Sequence, residues 1–275
     1  SNSILYMILQ ETKSNKMPID VIDTNMRTDY QKLRFLVIES HKLNGNFNLL
    51  SEVLESGEIS SELIKNFPVS DLIERDKFVS FLYYLGFLTI REQDVDRFVF
   101  TVPNEMCHEI LWEYVRKALN DAYSLELTEL NKVYAKMTKH GEWQPLFNYI
   151  FAEFYKISSN RDFIYREQGI KGFLLAYLNM SKAYTVHSET EMNKGYADIY
   201  IQPNVLIYPE MCPTHFIVEL KYLTKADLKE SSVEAHFNQA KSQLEKYGKD
   251  QKVPANAVKI IALSTNEELL LLKTL

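Results

Sequence analysis

Three charged side chains stand in two stretches that otherwise read as core strands. Asp198 lies in Gly195-Tyr196-Ala197-Asp198-Ile199-Tyr200-Ile201, and Glu219 and Lys221 lie in Phe216-Ile217-Val218-Glu219-Leu220-Lys221-Tyr222. Both stretches are apolar, β-branched and aromatic, as strands of a sheet core are. Burying a carboxylate there is expensive unless it is paired or holds a metal. Side chains alternate along a strand, so Glu219 and Lys221 share one face while Val218 and Leu220 take the other. If the two strands pair, Asp198 joins that face. Two acids and an ammonium then make a compact site for a hard divalent cation and an anionic substrate. The competing reading is structural: a buried Glu219–Lys221 ion pair, with Asp198 at a solvent-facing strand end.

Gly-Tyr-Ala-Asp at 195–198 followed by Ile-Val-Glu-Leu-Lys-Tyr at 217–222 resembles the PD-(D/E)XK nuclease superfamily. More narrowly, it is similar to the nuclease-like domain that closes the chain of bacterial AAA-ATPase-like proteins, common in Bacteroides-type genomes. The resemblance implies a restriction-endonuclease-like core and a metal-dependent phosphodiesterase acting on nucleic acid, DNA in the first instance. It assigns Asp198, Glu219 and the Leu220 carbonyl oxygen to one or two Mg²⁺ (or Mn²⁺) ions. It gives Lys221 the task of orienting or deprotonating the attacking water. An acid on the first core helix and a polar residue on the helix before the last strand often support such a site. Those roles fall on Glu167 and Gln239. The plainer alternatives are a Glu167 that complements its helix dipole and a Gln239 that faces solvent. The first acid follows Gly-Tyr-Ala rather than Pro, which is usual in the narrower group.

The elements that must position these residues follow in the order helix, strand, strand, strand, helix, strand. The first helix is expected over Phe163 to Leu178, with Ile170, Phe173, Leu174 and Tyr177 on its apolar face. Ala183 to Glu191 reads as a strand ending in Glu189 and Glu191, and Met192-Asn193-Lys194-Gly195 as a hairpin turn. Gln202-Pro203-Asn204 opens a surface loop reaching Pro213. A helix from about Ser231 to Tyr247 buries Val233, Phe237, Ala240, Leu244 and Tyr247, and Gly248 closes it. Val258 to Leu263 is the last strand, and a leucine-rich tail from Glu267 packs back on the domain. The fold class is α/β (α+β overall), a mixed central sheet flanked by helices.

Upstream, residues 1–122 read as a mainly helical, winged-helix-like module and 123–275 as the nuclease-like domain. A helix is expected from Tyr30, with Leu33, Val37 and Ile38 on one face, and Asn44-Gly45-Asn46 breaks it from a second around Leu49, Val53 and Leu54. A third follows a Ser60-Ser61-Glu62 cap and carries Leu63 and Ile64. Phe78 to Leu85 is a helix ended by Gly86, followed by a strand from Phe87, a charged turn over Arg91 to Arg97 and a return strand over Phe98 to Val102. Pro103-Asn104-Glu105 starts the next helix, and Gly141 and Pro145 punctuate the helices beyond it. Leu-Gly-Phe-Leu-Thr-Ile at 85–90 and Phe-x-Val-Pro-Asn at 100–104 are similar to the segment joining ATPase and nuclease parts in AAA-ATPase-like proteins. No G-x-x-x-x-G-K-[ST] occurs, so the resemblance implies an ATPase domain lying outside this sequence, and Ser-Asn-Ser at the start reads as a tag scar on a fragment.

The chain has 275 residues, a net charge of −6, two cysteines and six histidines. Two cysteines make no disulfide framework, and the histidines show no zinc or triad spacing. His215 precedes the Glu219 strand and reads as a strand-edge residue. No stretch is apolar enough to span a bilayer, so a bacterial cytoplasmic protein with no membrane partner is expected. The acidic balance and the lack of a basic stripe favour a rival from another class: a non-catalytic interaction or regulatory module serving an AAA-type ATPase. Whether the chain forms a homo-oligomer is left open by its sequence.

Overall fold

A computed structural model describes residues 38–39, 42–43, 45–123, 127–158, 167–224, 227–265 and 267–275. They fall into two compact units that divide after Leu125.

In the first unit, a two-residue ladder pairs β1 (Ile38–Glu39) with β2 (Lys42–Leu43). Ile38, expected on a helix, is therefore in a strand, and the rest of that expected helix lies outside the described residues. Helix α1 (Gly45–Ser56) buries Leu49, Val53 and Leu54, as its spacing predicts. The cap expected at Ser60-Ser61-Glu62 is not formed. Ser60 and Ser61 belong to strand β3 (Glu58–Ser61), because long-range pairing with β5 (Arg97–Thr101) outweighs local capping preference. Ser61 Oγ donates to an Asp76 carboxylate oxygen at 2.7 Å instead. Helix α2 (Arg75–Tyr84) ends at Leu85 and Gly86, whose φ of 78° is the left-handed conformation that glycine enters without penalty. Strand β4 (Thr89–Asp94) then runs deep into the expected charged turn, leaving only Val95 and Asp96 to reverse the chain into β5. Helix α3 (Glu105–Tyr123) completes this unit.

The second unit opens with α4 (Leu127–His140), α5 (Trp143–Ser158) and α6 (Glu167–Leu178). Pro145 sits in the first turn of α5, where its missing N–H has no intrahelical acceptor to lose. Five strands follow: β6 (Tyr184–Met192), β7 (Gly195–Pro203), β8 (Phe216–Tyr222), β9 (Val258–Ser264) and β10 (Leu269–Thr274), with α7 (Glu230–Tyr247) between β8 and β9. Their order across the sheet is β10-β9-β8-β7-β6. Only β8 and β9 are parallel, joined by the α7 crossover, so the sheet is mixed. The leucine-rich tail is a fifth, antiparallel edge strand rather than a mere packing segment.

Asn193 and Lys194 both have positive φ, 46° and 65°, the two-residue turn whose twist matches the flanking strands of the β6–β7 hairpin. Helix α7 packs on β7, β8 and β9. Ala240, Leu244 and Tyr247 close there over Tyr200, Ile217, Ile261 and Leu263. Gly248 has an ordinary helical φ of −63°, so its freedom is not what ends α7. A Cβ at that position would collide with the Lys259 side chain.

Candidate active site

Strands β7 and β8 pair at Ile199↔Val218, Tyr200↔Ile217 and Ile201↔Phe216. One step further, the same register sets Asp198 against Glu219, but the backbone ladder stops. Asp198 Oδ2 accepts the Leu220 N–H there, at 2.8 Å. A carboxylate thus takes the place of a backbone acceptor where the strands open.

Glu219 is 1% exposed, and its Oε1 accepts from Lys221 Nζ at 2.7 Å. The two residues share a face of β8, as alternation requires. Parallel pairing with β9 sets Glu219 beside Ile261 and Lys221 beside Leu263, which keeps that flank apolar.

On the other flank, Ser188↔Ile199 and Thr190↔Ala197 bracket Glu189 opposite Asp198. Glu189 has φ 48°, a strained value for a non-glycine residue. It is ion-paired with Lys171 of α6, which is only 7% exposed. Burial raises the Asp198 pKa above the ordinary carboxylate value. The Leu220 N–H and then the Lys171 and Lys221 ammonium groups oppose the rise, and the Glu189 charge adds to it.

Helix α7 contributes Gln243 and Tyr247. Gln243 Nε2 donates to the Tyr247 hydroxyl at 3.3 Å, while Gln243 Oε1 is buried and accepts no hydrogen bond. Burial raises the Tyr247 pKa, Gln243 opposes it, and the charges of Glu219, Asp198 and Lys221 all reach the phenol. Gly195 makes room for this ring: a Cβ there would lie 2.8 Å from Tyr247 Cε1.

Asp198, Glu219, Leu220 and Lys221 are thus assembled at the opening of one strand pair. Glu167 begins α6, but its side chain lies outside the described residues. Gln239 is exposed on α7, one turn before Gln243. Glu191 is exposed, pairs with Tyr196 and takes no part. His215 immediately precedes β8, with Nδ1 2.7 Å from the Tyr200 hydroxyl.

Sequence reading passed over Lys171, Gln243 and Tyr247 as site residues. Lys171 had left a signal, as a lone ammonium inside the apolar run Ile170-Lys171-Gly172-Phe173-Leu174. Gln243 had left one too, four residues before the buried Tyr247.

The described residues contain no group of three or more His, Cys, Asp or Glu side chains arranged to hold a metal. The donors available are two carboxylates and a main-chain carbonyl, all hard oxygens. Mg²⁺ is commonly held by one or two carboxylates with water completing its shell, so this donor set fits.

Residues 165–269 match the PD-(D/E)XK nuclease superfamily. The match takes in Asp198, Glu219, Leu220 and Lys221 together with Lys171, Glu189, Gln243 and Tyr247. With it, the mixed sheet and its helices are those of a restriction-endonuclease-like fold. The PD-(D/E)XK match does not extend into the first unit. No curated protein and no solved structure matches the chain. No helix among the described residues is long and apolar enough to cross a membrane.

Proposed function

We propose that the second unit is a metal-dependent nuclease that hydrolyses phosphodiester bonds, with DNA as its substrate. The observation that carries this reading is the Asp198–Leu220 hydrogen bond at the end of the β7–β8 ladder. It aims one carboxylate at the strand opening beside Glu219, whose partner is Lys221. The superfamily match over the same residues supports it.

In this reading Asp198, Glu219 and the Leu220 carbonyl hold Mg²⁺ or Mn²⁺. When bound, the ion polarises the scissile phosphate and lowers the pKa of water. Lys221 orients the attacking water and offsets charge growing on the phosphate oxygens. Gln243, with its buried acceptor, takes the supporting role on α7 in preference to the exposed Gln239, and Glu167 retains its supporting role at the start of α6. Residues 1–122 are read as a winged-helix-like packing module that follows an AAA-type ATPase domain.

Cleavage of plasmid and single-stranded DNA with Mg²⁺ or Mn²⁺ tests this directly. Activity abolished by EDTA and strongly reduced by Asp198→Asn and by Lys221→Ala is the expected result. A wild type that neither cleaves nor binds divalent metal by calorimetry would instead support the interaction module, which the net charge of −6 favours.

A further inference from the structure

Lysine forms no stripe in the sequence, but the fold of the second unit gathers it at one place. The β6–β7 turn meets the C-terminal end of α7 there. The Asn193 N–H donates to Asp250 Oδ2 at 2.6 Å, and Asn193 Nδ2 donates to the Lys246 carbonyl at 3.0 Å. Lys246 Nζ donates to the Lys194 carbonyl at 2.9 Å, across 52 residues of chain. Lys194 thereby joins Lys246, Lys249 and Lys252, all of them exposed. Lys259 extends the group, because its side chain lies over Gly248. Asp250 is the acid among them, and its carboxylate is taken up by the Lys252 and Asn193 N–H groups, which lower its pKa. The adjoining acid on α7, Glu245, lies 4.0 Å from Lys241 on the turn before.

A lysine at a helix C-terminus ordinarily offsets the helix dipole, and Lys246 is placed to do so. Lys194 on the hairpin and Lys252 beyond the helix end have no such duty. Like charges gathered this way repel one another unless a polyanion lies across them. The group also borders the candidate site. A Cβ on Gly195 would lie 3.3 Å from the Tyr247 hydroxyl and 3.5 Å from Lys246 Nζ, so phenol and ammonium flank the same point of β7. That phenol is the one reached by the charges of Glu219, Asp198 and Lys221.

We propose that Lys194, Lys246, Lys249 and Lys252 bind backbone phosphates of the DNA on one side of the scissile bond. This rests on the nuclease reading of the Asp198–Glu219 site. Lys194 precedes Asp198 by four residues of β7, roughly 13 Å of strand, so the phosphates it meets lie within a few nucleotides of the cut. Such contacts fix where the backbone lies and carry no sequence readout.

The test measures binding of a fluorescein-labelled single strand and of its duplex to the full chain by anisotropy, in EDTA, across a series of KCl concentrations. Lys194→Gln, Lys249→Gln and Lys252→Gln are combined in one variant, leaving Lys246 to hold the hairpin. The variant should bind at least about tenfold more weakly at 0.1 M salt, and its slope of log K against log salt should be shallower by about two to three. Replacing the same three by arginine should keep the wild-type slope. Lys132→Gln, Lys136→Gln and Lys139→Gln on α4 change the net charge equally and should leave the slope as it is. If the first variant unfolds, Lys194→Gln alone should make the slope shallower by about one. Equal slopes for the hairpin and α4 variants, or salt-independent binding by a wild type that cleaves, overturn the inference and leave the nuclease reading standing. A wild type that neither binds nor cleaves DNA overturns both.

Discussion

Asp198 Oδ2 accepts the Leu220 N–H at 2.8 Å at the point where β7 and β8 stop exchanging backbone hydrogen bonds. The bond gives Asp198 a structural duty that its charge does not need. An amide oxygen can accept the same N–H, so Asp198→Asn should fold with a near-wild-type melting temperature. It should lose metal binding, and cleavage should fall by about 10²–10³-fold. Asp198→Ala should in addition lose about 1–3 kcal/mol, because the Leu220 N–H is left unsatisfied. Thermal melts beside cleavage assays separate the two effects. Equal stability of the Asn and Ala variants would show that the bond contributes nothing.

Glu219 and Lys221 form an ion pair whose side chains are 2% and 17% exposed. Removing one member of such a pair strands the other, so Lys221→Met should destabilise the unit by about 3–5 kcal/mol. Glu219→Gln combined with Lys221→Met should lose much less than the sum of the single changes, since neither charge then remains. Urea denaturation of the four proteins in a double-mutant cycle measures the coupling. Additive losses would mean that the pair is not a unit.

Gly195 and Tyr247 are matched by shape. Gly195→Ala introduces a Cβ 2.8 Å from Tyr247 Cε1 and should lose about 1–3 kcal/mol through overpacking. Placing the same alanine in a Tyr247→Ala background should lose far less. Denaturant midpoints decide it, and an equal loss in both backgrounds would place the strain elsewhere.

Gln239 and Gln243 stand one turn apart on α7, the first exposed and the second with a buried oxygen. Gln243→Ala should lower kcat by about tenfold to a hundredfold, the range seen when a group orienting a metal site is lost. Gln239→Ala should leave kcat within about twofold of wild type, the scale of a few tenths of a kcal/mol expected at an exposed position. The reverse pattern would return the supporting role to Gln239.

Burial lowers the His215 pKa from its ordinary 6.5. A base depressed in the folded chain binds its proton more tightly when unfolded. Its contribution to stability is therefore full above about pH 6.5 and is lost as the pH falls through the folded value. His215→Gln removes the titration, so wild type should lose stability relative to the variant over the pH window that opens as the pH falls below about 6.5. A difference that stays flat across that window would contradict the assignment.

The charged residues of the candidate site, Asp198, Glu219 and Lys221, were legible in the sequence because strand period is local. Alternation alone puts Glu219 and Lys221 on one face, and a charge inside an apolar strand marks itself. The β6–β7 hairpin and the buried stripe of α7 followed from equally local signals.

Other features needed the partners. Ser60 and Ser61 could cap a helix or extend a strand, and only β5, many residues away, decided for the strand. The leucine run at 269–272 has no period of its own, and the free antiparallel edge of β9 made it a strand. Gln239 and Gln243 differ by one helical turn, and which of them faces the sheet depends on how α7 sits across β8. Lys171 gains its place beside Glu189 because α6 and β6 pack together. Sequence determined which side chains carry charge and which face of each strand they occupy, because both are set within a few residues. Tertiary structure alone decided which charges meet, because that depends on contacts between elements far apart in the chain.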